Sequence, residues 1–96
     1  MTTSHKTKTH KTLYKIVYRE DISMGVENEG YYEVLRDGNL HGKKYSKRAI
    51  IDRIITLAKN NEIIIFDSSI PEYAINYLVG IARYYGNPEI KYADDD

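Results

Sequence analysis

The chain has 96 residues, with 14 basic and 14 acidic side chains and no cysteine. This length allows one domain with a small core, and the balanced charge argues against a surface that attracts polyanions everywhere. The absence of cysteine excludes disulfides and thiolate metal sites.

The two ends of the chain differ in charge from its middle. Residues 1–11 are polar and basic and contain no cluster able to bury surface, so we expect a disordered basic arm. Residues 94–96 are all aspartate and form an acidic tail. The single domain is therefore expected over 12–93. No apolar run approaches membrane length, and no signal-peptide pattern is present, so we expect a soluble cytoplasmic protein without membrane contact.

Alternating side chains predict strands in the N-terminal half. The apolar face of the first strand, residues 12–20, consists of Tyr14, Ile16 and Tyr18, as expected for the two-residue period of a strand. Residues 31–36 form the second strand. The turn signal Asp37-Gly38 can return the chain into a short third strand within 39–45. We expect these strands to pair antiparallel.

Two segments have helical periodicity. The first begins near Ser46, a good N-cap, and ends at Asn60-Asn61. Its apolar stripe consists of Ile50, Ile51, Ile54, Ile55, Leu57 and Ala58. The second segment ends at Gly86. The stripe predicted to face the core consists of Ile70, Tyr73, Ala74, Tyr77, Leu78, Ile81, Ala82 and Tyr85, and Tyr84 falls outside it.

Two further strands enclose the second helix. Residues 62–67 form an unbroken apolar strand, typical of a strand covered on both faces, and residues 89–93 form the last strand. A helix between two strands of one sheet makes a βαβ unit with parallel strands. The order β-β-(β)-α-β-α-β predicts an α/β or α+β two-layer sandwich. Its mixed sheet combines an N-terminal antiparallel hairpin with a C-terminal βαβ unit. No glycine-rich dinucleotide fingerprint is present, and we expect no cofactor.

The placement of the two helices decides the expected oligomeric state. If both lie on one sheet face, the other face is open and rich in Tyr and Ile, and an exposed apolar face binds partners. We therefore predict a homo-oligomer, most simply a two-fold dimer. One helix on each face would instead predict a monomer.

The strand-to-helix turn is the first candidate site. A helix N-terminus beside the carboxyl end of a parallel strand favours anions, so an anion-binding or hydrolytic site would use Asp67, Ser68, Ser69, Glu72 and Tyr73. The commoner use of such residues is a capping box from Ser69 to Glu72. Pro71 complicates this box, because proline prefers the first helical position, which places Ile70 at the cap.

Asp67, Glu89 and Lys91 resemble the D…(D/E)-x-K metal site of one nuclease superfamily. In a βαβ unit, however, Asp67 ends one parallel strand and Glu89 begins its neighbour. The two carboxylates should then lie at opposite ends of the strand pair, too far apart to share a metal ion.

A basic cluster is the third candidate site. Its members are His41, Lys43, Lys44, Lys47, Arg48 and Arg53, with Tyr45 among them. Together with the arm they could contact phosphates, and Tyr45 could stack on a base. The alternative is a solvated charged face. Lys47 and Arg48 stand in a first helical turn, where the helix dipole disfavours cations, and this favours a functional reason for them.

Four tyrosines of the N-terminal strands form the last candidate: Tyr14, Tyr18, Tyr31 and Tyr32. On an open sheet they could make an aromatic platform for single-stranded RNA, although packing and oligomer contacts are the commoner use of Tyr.

The leading hypothesis is a small non-enzymatic oligomerising module with nucleic acid as its ligand. The first alternative is a small enzyme or anion-binding protein at the strand-to-helix turn, and the second is a pure protein–protein interaction module. The composition, rich in Ile, Lys and Tyr, resembles that of small proteins from hyperthermophilic archaea and their viruses, although an AT-rich genome produces the same bias.

Overall fold

The computed structural model describes residues 11–20, 30–41 and 44–93. These ranges contain five strands, β1 (Leu13–Arg19), β2 (Tyr31–Arg36), β3 (Asn39–Leu40), β4 (Ile63–Asp67) and β5 (Glu89–Ala93), and two helices, α1 (Lys47–Lys59) and α2 (Glu72–Tyr85). The predicted element order is confirmed. Most of the predicted arm, the loop between β1 and β2, and the acidic tail lie outside the described residues.

The five strands form one mixed sheet in the order β3-β2-β1-β4-β5. Strand β2 pairs antiparallel with β1 and β3, which confirms the predicted hairpin. Strands β4 and β5 are parallel, as the βαβ unit predicts. Strand β1 also runs parallel to β4, so the first strand of the chain lies at the centre and joins the hairpin to the βαβ unit.

The turn from β2 to β3 follows from its two residues. Asp37 and Gly38 both have positive φ, 52° and 90°, the left-handed region that an Asp-Gly pair tolerates. The Asp37 carboxylate also accepts a hydrogen bond of 2.9 Å from the Leu13 N–H. Strand β3 is only two residues long, but Tyr45 then exchanges backbone hydrogen bonds of 2.7 and 2.8 Å with Tyr32 and prolongs this edge of the sheet.

Both helices lie on the same face of the sheet. The core cluster combines residues of α1 and α2 with alternate residues of three strands: Tyr14, Ile16, Tyr32, Val34, Ile64, Phe66, Ile50, Ile54, Leu57, Ala58, Ile70, Leu78 and Ala82. Because strand residues of one parity face one side, the molecule is the expected two-layer sandwich, and the second sheet face carries no layer among the described residues.

The uncovered sheet face is mixed where a Tyr- and Ile-rich surface was expected: beside charged residues it carries the apolar side chains of Leu13, Val17, Tyr31, Leu35, Ile63 and Ile65. Three ion pairs lie on it: Lys15 with Asp67 at 3.4 Å, Arg19 with Glu33 at 2.9 Å and Lys91 with Glu89 at 3.7 Å. Of the four tyrosines expected to form a platform, only Tyr31 has the strand parity of this face. Tyr14 and Tyr32 are buried beneath the helices, so these tyrosines form no exposed platform.

Helix α1 begins and ends as its sequence predicts. The Ser46 hydroxyl accepts a 3.0 Å hydrogen bond from the Ala49 N–H, which is the expected N-cap. After α1, Asn61 adopts a left-handed φ of 56°, which Asn tolerates better than most residues.

Helix α2 begins later than predicted. Its N-cap is Pro71, which makes no side-chain cap hydrogen bond, so both the capping box and a start at Pro71 are wrong. Ile70 is 3% exposed, and a residue before proline avoids the helical region. The chain therefore buries Ile70 and passes Pro71 before α2 begins.

The rotation of α2 about its axis also differs from the prediction. Its buried residues are Leu78 and Ala82, whereas Tyr73, Tyr77 and Tyr85, expected in the core, are 73%, 60% and 43% exposed. Aliphatic side chains bury without a polar group to satisfy, while the phenol hydroxyl of Tyr keeps its hydrogen bonds in water. The aliphatic stripe therefore faces the core, and the tyrosines face outward.

Candidate functional site

A groove opens between the N-terminal halves of α1 and α2, with a volume of about 370 Å³. Its lining consists of Tyr18, Tyr32, Lys47, Arg48, Ile51, Tyr73, Ala74, Tyr77 and Leu78. Tyr18 lies near the carboxyl end of β1, and both helices begin at this end of the molecule. This is the edge of the sheet at which open α/β folds bind ligands.

Two tyrosines of the central strands form the inner wall of the groove. The rings of Tyr18 and Tyr32 pack edge to face, with centroids 5.1 Å apart and an interplanar angle of 61°. Gly30 makes room for this arrangement, because a Cβ there would overlap the Tyr18 hydroxyl and come within 2.6 Å of the Arg19 carbonyl oxygen. Burial raises the pKa of the Tyr32 hydroxyl, and the nearby phenols of Tyr18 and Tyr73 raise it further.

The lip of the groove is exposed, cationic and aromatic. Tyr73 and Tyr77 stand on the α2 side, and the exposed Lys47 and Arg48 stand on the α1 side. Within the described part of the chain neither cation forms an ion pair, and the first turn of α1 contains no acid. The lip therefore keeps two uncompensated positive charges beside apolar ring surface.

The predicted basic cluster is divided by the structure. Lys47 and Arg48 line the groove, whereas the Lys44 ammonium lies 4.6 Å from the centre of the Tyr31 ring, which belongs to the uncovered sheet face. Tyr45 is half-buried against the core, and its backbone extends the sheet beside Tyr32. Lys43 lies outside the described residues. The expected contact surface is thus split between two sides of the molecule.

Arg53 points away from the groove. Its Nη2 lies 3.2 Å from His41 Nδ1, and its guanidinium carbon lies 5.7 Å from the centre of the Tyr14 ring. Its Nε is buried and has no hydrogen-bond partner among the described residues. Arg53 lies five positions after Arg48 in the helix, which places the two side chains about 140° apart around the axis of α1. They cannot serve one surface.

The strand-to-helix turn is held by its own side chains. Asp67 Oδ2 accepts a 3.1 Å hydrogen bond from the Ser69 N–H, and the Ser69 hydroxyl accepts one of 3.0 Å from the Tyr18 N–H. Burial of the Asp67 carboxyl opposes ionisation, but the Ser69 hydrogen bonds and Lys15 outweigh it and lower the pKa of Asp67. A fixed carboxylate thus occupies the turn that was expected to receive an anion.

The remaining residues of the predicted anion site lie nearby. Ser68 is exposed in the turn, and Glu72 adds a second acid in the first turn of α2. Tyr73 belongs to the lip of the groove. An anion-binding or hydrolytic role for residues 67–69 stays a prediction. The hydrogen bonds that Asp67 and Ser69 make stabilise the turn itself.

Asp67 and Glu89 lie at opposite ends of the β4–β5 pair. The strand register places Ile63 opposite Glu89 and Asp67 opposite Ala93, as the sequence argument expects. Glu89 instead pairs with Lys91. The three residues that resemble a nuclease site therefore do not come together.

No protein-family model, curated protein or solved structure matches this chain. In the described ranges, neither α1 nor α2 has the length and apolar character of a helix that crosses a bilayer.

The groove unites residues that sequence reasoning had assigned to different sites. Lys47 and Arg48 came from the basic cluster, and Tyr73 came from the strand-to-helix turn. Tyr18 and Tyr32 were candidates for an aromatic platform, with packing as the alternative, and Tyr77 was assigned to the core stripe. The outward position of the α2 tyrosines could have been predicted from the sequence. Helix α2 also contains an aliphatic stripe, made by Ile75, Leu78, Val79 and Ala82, and this stripe leaves the tyrosines without a place in the core.

Proposed function

We propose that the protein is a small non-enzymatic module that binds single-stranded nucleic acid in the groove. The observation that supports this most directly is the pair of cations, Lys47 and Arg48, beside exposed tyrosine rings at the groove lip. Phosphate and base would then be recognised within one surface by two different kinds of side chain.

The position of the cations favours a ligand over a role in stability. Lys47 and Arg48 begin α1, where the helix dipole makes positive charge unfavourable by a few tenths to about 1 kcal/mol each. No described acid pairs with either. A phosphate placed at the lip would gain from both cations and from the positive end of the helix dipole.

The tyrosines favour a nucleobase as the second part of the ligand. Tyr73 and Tyr77 expose their rings at the lip, and stacking of a base on an aromatic side chain is worth about 1–3 kcal/mol. A duplex keeps its bases stacked on one another, whereas a single strand can turn a base outward into a groove. We therefore expect binding of single strands with little sequence preference.

The charge of the chain sets the affinity that we expect for single-stranded nucleic acid. The formal net charge is zero, so attraction is local and no long-range field assists it. Two phosphate contacts to a single strand predict a log–log salt slope of about −1.4. Binding should therefore be modest at low salt and weaken gradually as salt is raised.

Fluorescence anisotropy with a labelled ten-nucleotide oligothymidylate tests this function. We expect the double variant Lys47→Ala/Arg48→Ala to bind at least tenfold more weakly and to lose most of its salt dependence. Tyr77→Leu should weaken binding at least about fivefold, which corresponds to one lost stacking contact.

Lys59→Ala is the matched control, because it removes one lysine from the opposite end of the same helix. It should bind like the wild type. Equal affinity of the wild type and the double variant, or a preference for the duplex over the single strand, would contradict the proposed function.

A further inference from the structure

Helix α2 carries an exposed aromatic stripe on the side that faces away from the sheet. Tyr73, Tyr77 and Tyr84 are 73%, 60% and 81% exposed, and the exposed Gly80 lies between Tyr77 and Tyr84 on the same side. Successive positions of this stripe are spaced four, three and four residues apart in the sequence. This is the spacing of the contact seam between two packed helices.

We propose that a second copy of the chain packs antiparallel against this stripe and forms a two-fold dimer. In an antiparallel pair, Tyr77 of each copy lies opposite the partner's Gly80, and Tyr73 lies opposite the partner's Tyr84. The stripe is therefore complementary to itself, as a two-fold interface requires.

Gly80 supplies the space that this pairing needs. A Cβ on Gly80 would meet no atom within 4 Å, so the fold of one copy does not require glycine there. Glycine in a helix interior is unfavourable relative to alanine. Its position opposite the partner's Tyr77 gives it a use, since a large ring can then approach the helix backbone.

The charged residues that flank the stripe support the same antiparallel orientation of the two copies. Glu72 begins α2 and Arg83 lies in its last turn, and both are on the same flank of the stripe. In the described ranges neither forms an ion pair. The antiparallel arrangement brings Glu72 of each copy close to the partner's Arg83, whereas a parallel arrangement would place these two residues at opposite ends of the helix pair.

The dimer and the nucleic-acid groove share Tyr73 and Tyr77, which lie both on the stripe and at the lip of the groove, so the partner and a nucleobase compete for these two rings. Lys47 and Arg48 belong to α1, which lies beside α2, whereas the stripe points away from the sheet. A partner on the stripe leaves the cationic side of the groove accessible. The seam spans one 14-residue helix, so the interface is small and the dissociation constant should lie in the micromolar range or above.

Sedimentation equilibrium from about 5 to about 500 μM, a range that brackets such a constant, tests the dimer. We expect the wild type to shift from monomer to dimer across this range. Gly80→Gln should weaken the dimer at least tenfold, because the new side chain fills the space for the partner's Tyr77. Its melting curve at low concentration should not fall, since glutamine favours the helix.

Charge exchange and an off-stripe control complete the test. Glu72→Arg and Arg83→Glu should each weaken the dimer, and the double variant should restore it. Tyr92→Ser removes an exposed tyrosine from β5 and should leave the association unchanged. A wild type that stays monomeric throughout, or a dimer that Gly80→Gln and the charge variants leave intact, would overturn the proposal.

Discussion

Gly86, the C-cap residue of α2, lies against the end of α1. A Cβ on Gly86 would overlap the carbonyl group of Ala58 near the end of α1. The backbone of Gly86 is extended, with φ −167°, so any residue could adopt this conformation. The steric contact alone requires glycine. This contact fixes the C-terminal end of α2 against α1, at the opposite end of the helix pair from the groove.

Gly86→Ala should lower the free energy of unfolding by about 1–3 kcal/mol, because a methyl group forced against backbone cannot be relieved by a rotamer change. Urea denaturation at low protein concentration measures this. Gly80→Ala is the matched control and should raise stability by up to about 1 kcal/mol. Equal effects of the two substitutions would contradict the close approach at Gly86.

Among the secondary-structure elements, the turn from β4 to α2 ties three together. Asp67 ends β4 and pairs with Lys15 of β1 at 3.4 Å. The Ser69 hydroxyl accepts from the backbone of Tyr18, also on β1. Since Tyr18 lies in the wall of the groove, this network holds the wall in register with the start of α2.

Asp67→Asn should remove part of the acid sensitivity of the fold. The folded pKa of Asp67 lies below its ordinary value of 3.8, so the carboxylate stabilises the protein above that pH. This stability is lost as pH falls through the folded pKa. An asparagine oxygen can still accept from the Ser69 N–H but cannot pair with Lys15.

Urea midpoints at a series of pH values from about 7 to about 2 would measure this effect, because the contribution of the carboxylate shrinks as pH falls through the titration. The variant should be less stable than the wild type near neutral pH, and this difference should shrink as pH falls. Lys15→Met should reproduce part of the loss near neutral pH. A constant difference between Asp67→Asn and the wild type at every pH would contradict the assignment.

The elements were more predictable than their contacts. The bounds of α1 follow from local signals, since Ser46 caps the helix and Asn61 adopts a left-handed conformation. The rotation of α2 does not, because its aromatic and aliphatic stripes both have helical spacing. Packing against α1 and the sheet selects the aliphatic one. Lys47 and Arg48 could be identified as candidate ligand-binding residues, because cations in a first helical turn conflict with the helix dipole. The groove could not be predicted in this way, because it forms only where two helices lie side by side.

Across the whole molecule, the paired charges and the groove lie on opposite sides of the sheet. Among the described residues, one side carries three ion pairs, in which opposite charges compensate one another. The other side carries the groove, with Lys47 and Arg48 unpaired among the described residues, and the stripe of α2. A formal net charge of zero therefore conceals a local cationic lip, and the proposed ligand should contact the helix side alone.

Chemical-shift mapping of the isotope-labelled protein with unlabelled oligothymidylate tests this claim most directly. The account predicts the largest amide shifts at groove residues of both helices, above all Arg48, Tyr73 and Tyr77. Residues of the uncovered sheet face, such as Lys15 and Lys91, should stay unchanged. Shifts confined to the uncovered sheet face, or no shifts at saturating ligand, would contradict the account.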